Sequence, residues 1–328
     1  MIAGDPYTYT APVRSALQKS RAVVALETTV ISHGLPWPRN LEVARAMAGA
    51  VTNAGAVPAF IALIDGHIRV GLDDAQVERF ARQGETLDGR AQAIAKASRR
   101  DIAAVLAARG SGATTVAGTL VCAARAGLKV FATGGIGGVH PPGRIGDRSA
   151  DRVGADSGYS YDVSADLMEL SRSALAVVCS GAKSILDLPA TVEVLETLGV
   201  PVVGYGTGVL PAFFTRDSGI ELNARVEDPA SAARLVAHQL SLDLGGVLIA
   251  NPVPREHALA RPEHDAWLRE ASAQAQACGI AGAALTPFLL EGMNRLSAGR
   301  TAAANEALLL DNARVAGEIA VALADGVD

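Results

Sequence analysis

Short apolar runs rich in β-branched residues alternate with alanine- and leucine-rich stretches along nearly the whole chain. Short continuous apolar runs are typical of buried strands, and the longer stretches have the spacing of amphipathic helices. The alternation predicts a layered α/β fold. The predicted strands are Ala22–Leu26, Val57–Ile64, Lys129–Ala132, Leu175–Cys179, Val200–Gly204 and Gly246–Ala250. The predicted helices are Leu41–Asn53, Asp74–Arg82, Thr115–Ala126, Ala190–Leu198, Ser231–Leu240, His264–Ala277 and Ala302–Ala324.

Composition and charge restrict the class of protein. Of the 328 residues, 49% are hydrophobic and 19% are charged, as in a globular protein with a large core. The net charge is -5 without blocks of like charges, so we expect no nucleic acid and no membrane among the partners. No apolar run approaches the length of a membrane span, and no basic-then-apolar leader opens the chain. Cys122, Cys179 and Cys278 lie in apolar or helical stretches, which predicts core residues in a reducing compartment. We therefore expect a cytoplasmic protein.

The chain contains no Pro/Ser/Gly-rich divider and no internal repeat, which favours a single domain. We place this domain at residues 21–328, after an N-terminal extension of residues 1–20. The segment 141–161 breaks the pattern because it is polar and rich in Gly, Asp and Arg. A mobile flap and a disordered surface excursion both fit this composition.

One lysine occupies an unusual position in the sequence. Lys183 follows the predicted strand Leu175–Cys179 and the small residues of its exit turn. Ligand crevices form at the carboxyl ends of strands in α/β proteins, where a partly desolvated lysine is a candidate nucleophile toward a carbonyl. A surface lysine at a helix start, whose stem covers apolar neighbours, fits the local sequence equally well.

A carboxylate stands where the first predicted strand ends. Glu27 follows Ala22–Leu26 and precedes Thr28 and Thr29. This position suits an acid or base at the edge of the sheet. A glutamate satisfied by nearby backbone N–H groups is the alternative.

Two features are compatible with binding of an oxyanion. Lys96, Arg99 and Arg100 form a cationic cluster, although a solvated basic turn is the more common explanation of such a run. The glycine-rich turns 110–116 and 132–140 allow backbone N–H groups to approach an anion. Neither turn has the spacing of a nucleotide-binding fingerprint.

Two further polar segments carry candidate ligands. In Tyr161–Leu167, Asp162 is either the N-cap of a helix or an oxygen ligand of a hard divalent cation that keeps several waters. Asn312 lies on the long C-terminal helix, where it either contacts a carbonyl-bearing ligand or belongs to an ordinary polar face.

Taken in order, these segments resemble the pseudouridine-5'-phosphate glycosidase family, also called the indigoidine synthase A-like family. The resemblance runs from about Val23 to the C-terminal helix and is specific. The motifs that carry it are Glu27-Thr-Thr-Val-Ile-Ser-His-Gly, Lys96-Ala-Ser-Arg-Arg-Asp, Gly112-Ala-Thr-Thr-Val, Phe131-Ala-Thr-Gly-Gly-Ile-Gly-Gly-Val-His, Asp162-Val-Ser-Ala-Asp, Gly181-Ala-Lys-Ser-Ile-Leu-Asp, Pro211-Ala-Phe-Phe and Ala250-Asn-Pro-Val-Pro.

The resemblance implies a fold and an activity. The fold is a single-domain, three-layer α/β/α sandwich around a mixed β-sheet, assembled as a homotrimer. The activity is the reversible conversion of pseudouridine 5'-phosphate and water to uracil and ribose 5-phosphate. The family enzymes depend on Mn(II), which implies one ion per subunit here.

The resemblance also assigns roles residue by residue. Lys183 falls on the Schiff-base nucleophile, Glu27 on the proton donor and Asp162 on the metal ligand. The positions that correspond to substrate contacts or border the substrate are Lys96, Thr115, Val116, Thr133, His140, Ser164, Ala165, Asp166 and Asn312.

The chain departs from the family pattern between His140 and Asp162, where the family has a short link and this sequence has a long insertion. A second small excess precedes Lys96. Because the insertion borders the site, a C-glycosynthase that joins ribose 5-phosphate to an aromatic acceptor in secondary metabolism is the alternative activity. A non-catalytic sugar-phosphate-binding protein is the alternative of another class, and the retained Glu27, Lys183 and Asp162 argue against it.

Overall fold

A computed structural model of the chain describes residues 5–84, 86–87, 90–91, 93–141, 162–280 and 285–326. Its main sheet has the strand order β1-β4-β3-β2-β9-β10-β13-β11-β12, and β8 joins β7 to β3. The strands are β1 Tyr7–Tyr9, β2 Val23–Glu27, β3 Val57–Ile64, β4 His67–Val70, β7 Ala95–Ala97, β8 Gly112–Thr114, β9 Val130–Ala132, β10 Ala176–Cys179, β11 Val202–Tyr205, β12 Ala224–Val226 and β13 Val247–Ala250. A separate hairpin pairs β5 Thr86–Leu87 with β6 Arg90–Ala91.

The sheet is mixed, as predicted. The central strands β2, β9, β10, β13 and β11 run parallel, and β3 is antiparallel to β4 and β8. The backbone pairings Leu26–Ala132 and Val178–Ala132 align the ends of three neighbouring strands. Central strands buried on both faces read as continuous apolar runs, which is why the sequence revealed them.

Helices cover both faces of the sheet and complete the predicted three-layer α/β/α architecture. On one side α12 packs against α3, α9 and the strands β2, β9 and β10, and on the other side α6 packs against α7 and the strands β2 and β3. The α-helices are α1 Ala11–Gln18, α2 Thr29–His33, α3 Arg39–Asn53, α4 Asp74–Ala81, α5 Ile102–Ala107, α6 Val116–Arg125, α7 Ala165–Arg172, α8 Leu188–Thr197, α9 Pro229–Ser241, α10 Arg261–Ala277, α11 Leu285–Leu296 and α12 Arg300–Ala324. Two 3₁₀ helices span Arg99–Asp101 and Arg255–His257.

The predicted elements agree with the structure to within about two or three residues at each end, a difference common between assignments. In the main sheet, the sequence did not reveal β1, β4 and β12, which lie at the two ends, or β7 and β8, which lie off the main path. The strands β7 and β8 have only three residues each, too few to form a recognisable apolar run. Their positions depend on partners that are distant in sequence.

Residues 5–20 form part of the domain, which differs from the predicted extension over residues 1–20. β1 pairs with β4 in parallel, and α1 buries Val13 and Ala16 against the core. The structure builds this segment into the sheet because β4 would otherwise leave an unpaired edge. Of the predicted insertion at 141–161, only Pro141 is among the described residues.

The carboxyl ends of four adjacent strands form a continuous edge. Glu27 ends β2, Thr133 follows β9, Ser180 follows β10 and Asn251 follows β13. In an open parallel sheet this edge is where ligands bind. Gly181 then turns the chain sharply with a φ of +79°, and a side chain there would meet the carbonyl oxygen of Pro211.

Gly181→Ala should therefore destabilise the protein more than Gly199→Ala does. Both glycines have positive φ, at +79° and +69°, but only a Cβ at Gly181 would approach another residue, reaching 2.2 Å from Pro211 O. We expect Gly199→Ala to cost about 1 kcal/mol of unfolding free energy from backbone strain. Gly181→Ala should cost about 2–4 kcal/mol because overcrowding is added. Urea unfolding of both variants measures the difference, and equal losses would contradict the proposed contact with Pro211.

Candidate active site

The Glu27 carboxyl is buried at the edge of the sheet. Its side chain accepts a hydrogen bond from the Thr133 hydroxyl at the end of the neighbouring strand β9. Burial raises the pKa of Glu27, and the positive charge of Lys183 and the Thr133 hydrogen bond oppose that rise. The negative charge of Asp166 raises this pKa further, and the charge of Lys96 lowers it. A carboxyl with a raised pKa can hold a proton at a pH where an ordinary glutamate is ionised.

Lys183 lies beside this carboxyl, in the turn after β10. Its backbone N–H donates to Ile136 O at 3.1 Å, and the preceding Ala182 forms a parallel β-bridge with Ile136. Helix α8 begins only at Leu188, so Lys183 is not the surface lysine at a helix start that the local sequence also allowed. The side chain is half-buried, and its charge reaches Glu27 across β9. The structure therefore brings together the amine and the carboxyl that the sequence singled out.

The three cations of the predicted cluster separate in the fold. Lys96, on β7, is exposed and acts electrostatically on Glu27. Arg99 instead forms an ion pair with the buried Glu169 of α7, and the Arg100 side chain is 91% exposed. Of this cluster, Lys96 is thus the cation placed at the candidate site, because the other two point to a helix and to solvent.

The glycine-rich turn after β9 binds the carboxylate of Asp166. Asp166 Oδ2 accepts a hydrogen bond from Gly137 N at 2.8 Å, and Oδ1 accepts one from Ala117 N, in the first turn of α6, at 2.9 Å. A side chain at Gly137 would collide with Ser164. Asp166 therefore clamps the turn to the helix, and these two amides are already occupied by a carboxylate.

The residues around this clamp lie at helix starts. Thr115 is the N-cap of α6, where its hydroxyl accepts from Gly118 N at 3.3 Å, and Val116 is the first buried residue of that helix. Ser164 is the N-cap of α7 and Ala165 its first residue. The alternative that Asp162 caps this helix is wrong, because the N-cap of α7 is Ser164, two residues later, whose hydroxyl accepts from Asp166 N.

Asp162 and His140 face each other at the border of the described chain. His140 N donates to Asp162 O at 2.9 Å, and His140 Nδ1 lies 3.3 Å from Asp162 Oδ2. The Asp162 side chain is 72% exposed. Among the residues that the structure describes, no three His, Cys, Asp or Glu side chains cluster closely enough to hold a metal ion. One exposed carboxylate and one imidazole, Asp162 and His140, fit a cation that keeps most of its waters.

Asn312 is fully buried, so the exposed polar face that its helix position also allowed is ruled out. Its Nδ2 donates to Thr133 O at 2.9 Å and to Ser180 Oγ at 3.2 Å. Its Oδ1 accepts from Asn251 Nδ2 at 3.0 Å. Asn312 therefore joins the ends of three strands to helix α12.

Sequence reasoning missed Asn251, Asp311 and Glu169, each of which contacts a predicted site residue or its neighbours. Asn251 follows a strand directly, so the strand-end rule that identified Glu27 was the available signal. Asp311 and Glu169 lie on helices and carried no comparable signal.

Two other expectations concern the chain outside the site. Cys122 and Cys179 are buried, as predicted, and burial raises the pKa of each thiol to about 12. Cys278 is exposed, so its prediction as a core residue is wrong; it follows the last turn of α10. Over the described ranges, no helix combines the length and apolarity needed to cross a membrane.

Replacement of Glu27 by Gln should change how stability depends on pH. Because burial raises the pKa of Glu27 above its ordinary value of 4.5, the folded state keeps a proton that the unfolded state releases. Wild-type stability should thus fall as the pH rises from 4.5 through the folded-state pKa, and this contribution is lost in Glu27→Gln.

The melting temperature of Glu27→Gln relative to wild type should therefore rise as the pH increases above 4.5. The exposed Glu196 provides a matched control, since Glu196→Gln should follow the wild-type profile. Parallel profiles for all three proteins would contradict a raised pKa at Glu27.

Comparison with known proteins places this geometry in a family. The family model described as "Indigoidine synthase A like protein" matches residues 12–322. A pseudouridine-5'-phosphate glycosidase of Sorangium cellulosum is 49% identical over 321 residues, which cover 98% of this chain and 95% of the relative. A pseudouridine-5'-phosphate glycosidase of Herpetosiphon aurantiacus is 50% identical over 316 residues, with 96% and 97% covered.

Solved structures agree with this placement. The prealnumycin C-glycosynthase, crystallised in complex with ribulose 5-phosphate, superposes with a TM-score of 0.84 at 39% identity and covers 98% of both chains. An indigoidine synthase A-like protein of Thermotoga maritima has a TM-score of 0.82 at 34% identity, with 99% of this chain and 98% of the other covered. The chain therefore belongs to the indigoidine synthase A-like family.

Proposed function

We propose that this protein is a pseudouridine-5'-phosphate glycosidase, which reversibly cleaves the C-glycosidic bond to give uracil and ribose 5-phosphate. The observation that carries the proposal is the pairing of a buried Glu27, whose pKa is raised by burial, with Lys183, which lies two strands away at the same edge of the sheet. Relatives near 50% identity over almost the whole chain bear this name. The retained acid and amine disfavour a protein that only binds sugar phosphates.

The chemistry of a C-glycoside explains why a lysine is needed. Ordinary glycosidases protonate a leaving oxygen or nitrogen between two carboxyl groups, but the carbon that leaves here has no lone pair. The Lys183 amine attacks C1' of the ribose, the C1'–O4' bond breaks, and O4' takes up the proton that the amine loses. The sugar is then open and linked to the protein through nitrogen.

Glu27 completes the bond cleavage as a general acid. It donates its proton to the base carbon, which keeps the electron pair of the C1'–C bond, while the lysine nitrogen forms an imine with C1'. Water then hydrolyses the imine, which releases ribose 5-phosphate and the free amine. The Thr133 hydroxyl holds the Glu27 carboxyl in position throughout.

Binding of the phosphate and sugar falls to residues around this pair. Lys96 supplies a cation at the site. The starts of α6 and α7, with Thr115, Val116, Ser164 and Ala165, form the adjoining wall, and Asp166 holds the two helices at their spacing. We assign Asp166 to this positioning role because its carboxylate oxygens are occupied by backbone amides.

We propose Mn(II) as the cofactor, one ion per subunit, held by Asp162 with His140 beside it. The exposed Asp162 carboxylate fits an ion that retains several waters. When bound, such an ion orients oxygen ligands and screens negative charge near the substrate. We also propose a homotrimer in the cytoplasm, and sedimentation velocity measures the assembly state.

A second candidate function is C-ribosylation of an aromatic acceptor. It is favoured by the structural similarity to the prealnumycin C-glycosynthase, at 39% identity over 98% of both chains. Both reactions use the same imine with ribose 5-phosphate and differ in the carbon nucleophile.

The function is tested by following formation of pseudouridine 5'-phosphate from uracil and ribose 5-phosphate with Mn(II). We expect product by ultraviolet absorbance and chromatography, and failure with uracil but success with an aromatic acceptor would establish the second candidate. Borohydride with ribose 5-phosphate should label Lys183 in wild type and in Glu27→Gln, since imine formation does not need the acid. Glu27→Gln should lower turnover about 100-fold or more. Labelling of another lysine would exclude the mechanism.

Asp162→Asn should weaken Mn(II) binding by about tenfold or more, because a neutral amide is a poorer ligand than a carboxylate. The electron paramagnetic resonance signal of free Mn(II) measures binding without reference to activity. Asp243→Asn, which changes an exposed aspartate in the loop before β13, is the control and should bind as wild type. Unchanged binding in Asp162→Asn would remove this residue from the metal site.

A further inference from the structure

Asn251, at the end of β13, has no part in the chemistry above, yet it is almost completely buried at the site edge. We propose that Asn251 and Asp311 are positioning residues for the acid Glu27, acting through Asn312 and Thr133. The proposal deepens the proposed function and rests on it for the role of Glu27 as an acid.

A continuous chain of hydrogen bonds connects these residues. Asn251 Nδ2 donates to Asp311 Oδ2 at 2.8 Å and to Asn312 Oδ1 at 3.0 Å. Asn312 Nδ2 donates to Thr133 O at 2.9 Å. The Thr133 hydroxyl in turn donates to Glu27. The chain thus runs from helix α12 through two amides to the carboxyl on β2.

The direction of both amides is determined at the two ends of the chain. An ionised Asp311 and the carbonyl of Thr133 can only accept hydrogen bonds. Asn251 must therefore turn its NH₂ group toward Asp311, and Asn312 must turn its NH₂ group toward Thr133. Without such partners, the two orientations of a buried amide, which exchange its oxygen and its NH₂ group, would differ little in energy. The acceptors at Asp311 and Thr133 therefore select one orientation for each amide.

An arginine holds the Asp311 carboxylate on its other side. Asp311 Oδ1 accepts from Arg314 Nε at 3.0 Å and from Arg314 Nη2 at 2.7 Å. Arg314 also bonds Glu318 at 2.7 Å. This leaves Oδ2 of Asp311 to accept from Asn251, as observed.

Hydrogen bonds hold the backbone of Thr133 on two sides. Its N–H donates to Val178 O at 3.1 Å in the sheet, and its carbonyl accepts from Asn312. With both backbone groups held, the hydroxyl points at the Glu27 carboxyl and favours its ionised form. The other charged groups that act on Glu27 are Lys183, Lys96 and Asp166, and none of them takes part in the hydrogen bonds from Asn251 to Glu27.

The test measures the protonation of Glu27 directly. The infrared band of its protonated carboxyl is obtained as the difference between wild type and Glu27→Gln and followed against pH. In Asn251→Leu and Asp311→Leu we expect the midpoint to rise by about one pH unit, because the Thr133 hydrogen bond is weakened. The kcat should fall about tenfold with KM changed less than about twofold, as expected for a misplaced acid.

Three variants separate positioning from general stability. Asp311→Asn offers one acceptor oxygen to two donors, Arg314 and Asn251, so its midpoint should lie between those of wild type and Asp311→Leu. Arg314→Leu removes the ion pair of Asp311 but leaves the bond to Asn251, so the midpoint should stay. Gln239→Leu removes a buried amide that donates to Leu244 O and Gly246 O at the far end of β13. It should lower the melting temperature without moving the midpoint.

A midpoint that stays unchanged in both leucine variants, with losses of stability like that of Gln239→Leu, would overturn the proposal. If Asn251→Leu does not fold, the partly exposed Asp311 and its Asn and Leu variants decide the question. A shifted midpoint in a protein that shows neither turnover nor borohydride labelling would refute the proposed function and leave the hydrogen-bond chain intact. Labelling and turnover without a shift would do the reverse.

Discussion

The burial of the Glu27 carboxyl at the end of β2 is the constraint on which the rest of the site depends. A carboxyl in this position must either be protonated or be compensated by nearby charge and hydrogen bonds. Thr133, after the neighbouring strand β9, and Lys183, after β10, supply that compensation, and hydrogen bonds hold the backbone of each. Burial raises the pKa of Glu27 in spite of this compensation, which is the condition that suits an acid.

The second organising interaction is the clamp made by Asp166. Glycine-rich turns and helix N-termini favour anions, and in this fold the anion at both places is a carboxylate of the chain. The close approach at Gly137 reflects packing against Ser164. The Asp166 carboxylate joins α7 to α6 and to the turn after β9, so the starts of the two helices keep a constant spacing from this turn.

Much of the fold could be predicted because the central strands are buried on both faces and leave continuous apolar runs. The short strands β7 and β8 could not be predicted, since their three residues each are stabilised by pairing with distant parts of the chain. In the site, the strand-end rule identified Glu27 and Lys183. It did not separate Lys96 from Arg99, because the partner of Arg99 is Glu169, far away in sequence on α7.

The sequence by itself determined the fold class, the central strands, most of the longer helices and the chemical groups available, because these depend on local patterns of apolar and polar residues. Only the tertiary structure decided which groups act together. Asn312 shows the difference, since its helix position allowed either an exposed or a ligand-facing amide, whereas the fold buries it between Asn251 and Thr133. Hydrogen bonds between distant residues depend on distances and directions that only the packed strands and helices define.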